Sequence, residues 1–268
     1  MPEPASAAAS AATDARSLPT LLIADDGAEV RELLAMQLAA HFEIVATAAD
    51  VDAAIALGAE HRPDIALIGV QMPGGGGVRL ARELRAGSPA TAIVAMSDDE
   101  SDGLVRDVVA SGATAYLRSG ISRAELTLSL LEAQAAAGGG HPLPTLLIAD
   151  DDTDLRELLA MQLAKHFTVV ATAADADEAI ALGAEHQPDI ATIDMQMPGG
   201  GGLSATRELR RQSPGTAIVA LSGDESDAIV REVISSGATR YLRKGIPRAD
   251  LALALRDAMH AHSRLGAS

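Results

Sequence analysis

The chain has 268 residues, 48% of them hydrophobic, with two Phe, two Tyr and no Trp, so its core must be assembled from aliphatic side chains. It has no cysteine, which excludes disulfides, zinc–thiolate sites and thiol catalysis. A net charge of −16 argues against nucleic acid or anionic membrane as partners, and no apolar run approaches the roughly 20 residues that span a bilayer.

Residues 1–17 are Ala- and Ser-rich, with no basic n-region and no leucine-rich stretch, and read as a disordered tail rather than a secretory signal. A cytoplasmic location is expected. From Leu18 onward the chain is written twice. The string LPTLLIADD starts at Leu18 and again at Leu143, and residues 18–130 align with 143–255 without a gap, differing at 33 of 113 positions. A period this long is a whole domain rather than a solenoid repeat. The expected layout is a domain over 18–137, a Gly-rich linker over 138–142, a second domain over 143–262 and a tail over 263–268. A flexible linker of five residues averages only ~12 Å end to end, so the domains are expected to stay close.

The second copy shows the element pattern. Thr145–Ala149 is a short apolar strand, and Leu155, Leu158, Leu159 and Leu163 follow at helical spacing. Strand Thr168–Thr172, helix Asp175–Glu185, strand Ile190–Ile193 and helix Leu203–Arg211 come next. Strand Thr216–Leu221, helix Ser226–Ser236, strand Thr239–Leu242 and helix Arg248–His262 complete it. Five βα units with strands apolar on both faces predict an α/β fold, a parallel sheet with helices on each side. The MPGGGG segments at Met72–Gly77 and Met197–Gly202 read as flexible turns; they lack the Lys-Ser/Thr of a phosphate-binding loop. The histidines at helix ends, His41 and His166, His61 and His186, read as exposed groups or dipole partners rather than metal ligands.

In an open α/β sheet, ligands bind beyond the carboxyl ends of the strands. In the second copy those ends carry Asp150 and Asp151, Asp194, Ser222 and Lys244. With a strand order of 2-1-3-4-5, three carboxylates meet. Like charges 4 Å apart repel by about 4 kcal/mol at an effective dielectric near 20, so a cation is required. Mg²⁺ suits an oxygen-rich, water-accessible cluster, and Lys244 adds a second positive group.

In that order, LLIADDDTDLREL, PDIATIDMQMPGGGG, ALSGDE and YLRKG resemble the CheY-like receiver domain of two-component response regulators. The resemblance covers both copies. It implies the doubly wound, flavodoxin-like order 2-1-3-4-5 and a phosphoacceptor role for Asp194, supplied by a histidine kinase or phosphotransfer protein. It implies Mg²⁺ held by Asp151, by Asp150 through water, by Asp194 and by the backbone carbonyl of Gln196. Ser222 and Lys244 would contact the phosphoryl oxygens, and Tyr241 would be the aromatic switch. The copy departs from the family at Gly245, where a proline with a cis peptide bond is usual, so the geometry of that loop is left open.

The corresponding residues of the first copy are Asp25, Asp26, Gly69, Ser97 and Ser119, and residues 1–140 contain no lysine. A folded pseudo-receiver without phosphotransfer is expected, with Asp25 and Asp26 retaining at most a weak cation site. No helix-turn-helix or catalytic output segment is apparent, so the expected output is contact with a downstream protein target. The first receiver is expected to serve dimerisation or regulation, with pairing inside one chain and pairing between chains both left open, and no enzymatic activity is expected beyond self-catalysed phosphorylation and dephosphorylation. Two other readings stay open: a haloacid-dehalogenase-like phosphohydrolase, for which Asp150 and Asp152 have the required spacing, and an idle structural scaffold.

Overall fold

A computed structural model describes residues 18–99, 101–139, 142–223 and 226–266. The expected N-terminal tail, Glu100, Gly140, His141, Asp224, Glu225, Ala267 and Ser268 lie outside the described residues. The chain divides into two compact units between Gly139 and Gly140.

The first unit alternates strand and helix: β1 (Thr20–Ala24), α1 (Ala28–Leu38), β2 (Glu43–Ala48), α2 (Val51–His61), β3 (Ile65–Gly69), α3 (Gly76–Gly87), β4 (Ala92–Ser97), α4 (Asp102–Ala110), β5 (Ala115–Arg118) and α5 (Arg123–Gln134). The second repeats it: β6 (Thr145–Ala149), α6 (Thr153–Leu163), β7 (Thr168–Ala173), α7 (Ala176–His186), β8 (Ile190–Asp194), α8 (Gly201–Gln212), β9 (Ala217–Ser222), α9 (Asp227–Ser235), β10 (Arg240–Arg243) and α10 (Arg248–Gly266). All strand pairs are parallel. The orders are β2-β1-β3-β4-β5 and β7-β6-β8-β9-β10, the doubly wound 2-1-3-4-5 arrangement.

Strand alternation explains why both faces are covered. In the first unit Leu22, Ala24, Ala66, Ile68, Ile93 and Ala95 pack on one side with α2, α3 and α4. Their neighbours Leu21, Ile23, Ile65, Leu67, Ala92 and Val94 pack on the other with α1 and α5. Successive side chains point to opposite faces, so a strand sandwiched between two helix layers must be apolar at every position. Leu130 on α5 is 0% exposed in the second of these clusters. Leu130→Ala is expected to destabilise the first domain by about 2–5 kcal/mol through lost burial and a residual cavity. Denaturant unfolding measures this, and an unchanged midpoint would remove Leu130 from the core.

Several boundaries differ from the sequence reading. Helix α5 is followed by a turn over Ala135–Gly139 in which Gly138 leaves helical geometry at φ 85°. Helix α10 does not stop at His262 but runs to Gly266, the first helix-terminating residue after Pro247. His262 Nε2 lies 2.8 Å from the carbonyl of Pro214. Helix α8 begins at Gly201, two residues before the expected Leu203, because the glycine loop winds directly into it. His41 and His166 are 2% and 4% exposed, not solvated. The turn after α1 and α6 doubles back, with His41 and Phe42 N–H groups both donating to Leu38 and the same pair of bonds from His166 and Phe167 to Leu163, and this buries the rings. His61 and His186 are exposed in the last turns of α2 and α7.

Candidate functional site

The parallel register brings the expected residues of the second domain together. Ala149 pairs with Ile193, so Asp150 emerges beside Asp194. Asp194 pairs with Leu221, which puts Ser222 at the next strand end. Ser222 pairs with Arg243, and the Lys244 N–H donates to the Ser222 carbonyl at 2.8 Å. Four neighbouring strands therefore deliver Asp150, Asp194, Ser222 and Lys244 to one edge. Asp150, Asp194 and Ser222 are 0%, 2% and 2% exposed, whereas Asp151 is exposed.

The lysine ammonium is shared. Lys244 Nζ lies 2.9 Å from Asp150 Oδ2 and 2.9 Å from Asp194 Oδ2. Burial raises the Asp194 carboxyl above its ordinary value, against the opposing bonds from Lys244 and the Gln196 N–H. For Lys244, burial alone would lower the ammonium, but the two aspartates outweigh it and raise it. Asp150 is braced further: its Oδ1 accepts from the Asp152 N–H at 3.0 Å and its carbonyl from Arg156 Nη1 at 2.6 Å. Asp152 spends its own carboxylate as N-cap of α6, accepting from the Leu155 N–H at 3.1 Å.

One carboxylate oxygen from each of Asp150, Asp151 and Asp194 lies within 4.8 Å of the others. Three hard oxygen donors, one of them open to water, fit a Mg²⁺ ion better than a soft metal. Tyr241 packs half-buried against Ala220, Val233 and Ala238. The open question at Gly245 has a simple outcome: none of the described residues follows a cis peptide bond, and Gly245 adopts φ 87°, a turn that glycine makes without strain.

The glycine loop is more constrained than a flexible turn. A Cβ on Gly202 would lie 2.3 Å from the Asp194 carbonyl oxygen and 2.7 Å from Met195 Cα. The first turn of α8 therefore approaches the end of β8 so closely that only glycine fits. Arg156 and Gly202 were not legible as site residues from their local patterns. Their recurrence in the first copy, as Arg31 and Gly77, is the signal that marks them.

The first domain places Asp25, Gly69, Ser97 and Ser119 at the same strand ends. The Asp25 carboxylate accepts from the Gly27 N–H at 2.9 Å, and its carbonyl accepts from Arg31. Ser97 is 6% exposed and its Oγ accepts from the Asp99 N–H at 3.1 Å. The Tyr116 hydroxyl donates to the Asp99 carbonyl. Position 69 offers no side-chain acceptor and position 119 no charge.

The sequence matches the response regulator receiver domain over residues 21–131 and again over 146–256. It is 38% identical over 117 residues to a protein-glutamate methylesterase/protein-glutamine glutaminase of Anaeromyxobacter dehalogenans, covering 43% of this chain and 34% of that protein. It is 34% identical over 113 residues to the response regulator GacA of Pseudomonas viridiflava, covering 41% and 53% respectively. The chain thus spans about half or less of these relatives' length. Among solved structures it is similar to a two-component response regulator of the LuxR family from an Aurantimonas species, at 30% identity over 44% of this chain and 85% of that one, with a TM-score of 0.42. Among the described residues no helix is long and apolar enough to cross a membrane. With the family matched twice over and two parallel sheets wound in its order, the chain belongs to the response regulator receiver domain family and carries that domain in tandem.

Proposed function

We propose that the chain is a two-component signalling protein whose second domain is phosphorylated on Asp194, while its first domain is not phosphorylatable and serves dimerisation or regulation. The observation that carries this is the shared contact of Lys244 with two buried carboxylates at the strand ends. Such a nook demands positive charge, and phosphoryl transfer is catalysed chiefly by positioning and charge neutralisation.

A carboxylate oxygen of Asp194 attacks the phosphorus of a phosphohistidine on a kinase or phosphotransfer protein. The P–O bond forms as the P–N bond breaks, and the imidazole leaves with its electron pair. Asp150, Asp151, Asp194 and the Gln196 carbonyl would hold Mg²⁺, which offsets charge on the transferring group. Lys244 exchanges one of its carboxylate contacts for a phosphoryl oxygen, and Ser222 donates a hydrogen bond to another. The added charge draws Ser222 inward, and the ring of Tyr241 follows into the space it leaves. Such a switch needs about 5.5 kcal/mol of differential stabilisation to move from 1:99 to 99:1. The altered α9–β10–α10 surface would then change its contact with a downstream protein in the cytoplasm. The family match favours this reading over a phosphohydrolase, and Asp152 is already engaged as a helix cap.

Treatment with a small-molecule phosphodonor and Mg²⁺, followed by intact-mass measurement, tests the proposal. One phosphoryl group is expected on the wild-type chain, and none on Asp194→Asn or in the presence of a chelator. Labelling that survives Asp194→Asn, or two groups on the wild type, overturns it.

A further inference from the structure

The first domain has a cavity of about 470 Å³ where its twin has the acidic nook. That volume lies in the range that accepts a small organic ligand. Asp25, Gly69 and Ser119 form its polar end, and Leu34, Met96 and Ile121 contribute apolar wall. Two of its differences from the second domain, at positions 69 and 119, set the polar end. A Cβ on Gly69 would sit 2.8 Å from Asp25 Oδ2, so that oxygen faces the space which a side chain would otherwise fill. Ser119 stands where the second domain has Lys244, whose Nζ lies 2.9 Å from Asp150 Oδ2, the counterpart of Asp25 Oδ2. No Lys or Arg lines the cavity, and among the described residues none forms an ion pair with the Asp25 carboxylate.

We propose that the first domain binds a small organic ammonium, a primary amine on an apolar arm. The ammonium takes the place that Lys244 Nζ holds in the second domain. The arm lies along Leu34, Met96 and Ile121. A half-buried carboxylate gains a charge-assisted hydrogen bond from such a group, and the arm removes apolar wall from water. An inorganic cation would leave that wall unused, and an anion of the same shape would be repelled by Asp25, Asp26 and Asp98, which all border the cavity. This assignment does not depend on whether Asp194 is phosphorylated.

The test uses the full chain with ¹³C-methyl-labelled methionine and n-hexylamine as probe. Met96 lines the cavity, and its counterpart in the second domain is Leu221, so the Met96 signal reports the first site alone. A saturable Met96 shift is expected with hexylamine, with hexanol and hexanoate each weaker by about tenfold or more. Asp25→Asn is expected to weaken hexylamine by about tenfold or more. Ser119→Lys, which supplies an internal ammonium, is expected to block it; unchanged signals from the other methionines show that each variant is folded. A Met96 response that hexanol reproduces at equal affinity, that survives Ser119→Lys, or that Mg²⁺ elicits while hexylamine does not, overturns the proposal.

Discussion

Replacing Lys244 with methionine is expected to lower the stability of the second domain by about 3 kcal/mol at neutral pH. The substitution keeps the aliphatic stem but strips the shared cation from Asp150 and Asp194, which are 0% and 2% exposed. Removing one partner of a buried ion pair costs about 3–5 kcal/mol, because the remaining charge is left uncompensated; the 28% exposure of the Lys244 side chain places the estimate at the lower end. The loss has a definite pH dependence. Burial already raises Asp194, and Lys244 opposes that rise, so without the lysine the folded-state value lies further above the unfolded one. The folded variant then binds more protons than the unfolded chain as pH falls through that folded value, and its stability recovers relative to wild type. The deficit is therefore greatest above the folded pKa and shrinks on acidification. Mg²⁺ is expected to stabilise the variant more than the wild type, since a carboxylate pair stripped of its ammonium attracts the ion more strongly and a tighter ligand of the folded state adds more stability by mass action. Urea unfolding at neutral and mildly acidic pH, with and without Mg²⁺, checks all three effects. Equal stability of the two proteins at neutral pH would show that the lysine contacts contribute nothing.

Rebuilding the first domain's nook is expected to proceed in two opposite steps. Gly69→Asp alone should destabilise that domain by about 2–4 kcal/mol, since it brings a second carboxylate beside Asp25 without a cation, and like charges about 4 Å apart repel by roughly 4 kcal/mol at a dielectric near 20. The Cβ itself would begin 2.8 Å from Asp25 Oδ2, so that side chain must also yield. Adding Ser119→Lys should restore most of the loss by re-creating the contact made by Lys244 in the twin. In an Asp194→Asn background the doubly altered chain is then expected to accept one phosphoryl group, and Asp194→Asn alone is expected to accept none. Thermal unfolding and intact mass report the two halves. If the pair remains as unstable as Gly69→Asp, or stays unlabelled while folded, the missing side chains are not what separates the two domains.

Much of the architecture was legible because its signals are local. Apolar runs such as Thr145–Ala149 and helical spacing such as Leu155, Leu158, Leu159 and Leu163 depend on the burial of each segment's own faces. The errors fell where burial depends on contacts distant in sequence. His41 and His166 look like ordinary polar helix ends, but a chain reversal places them inside. Gly202 looks like one of several interchangeable glycines, yet it alone of its run would set a Cβ 2.3 Å from the backbone of β8. Helix α10 passed its expected end because nothing before Gly266 stops it.

The residues at positions 69, 119, 194 and 244 distinguish the two domains without any coordinates: a glycine cannot carry a phosphoryl group and a serine cannot neutralise a carboxylate. What those residues touch was settled only by the winding of the sheet. Local periodicity makes a strand apolar on both faces but does not encode which strand lies beside it, since a crossover helix can return the chain to either side. Once β8 and β9 follow β6 in that lateral order, one lysine bridges two aspartates in the second domain, and the same winding in the first sets Asp25, Gly69 and Ser119 along one partly apolar hollow.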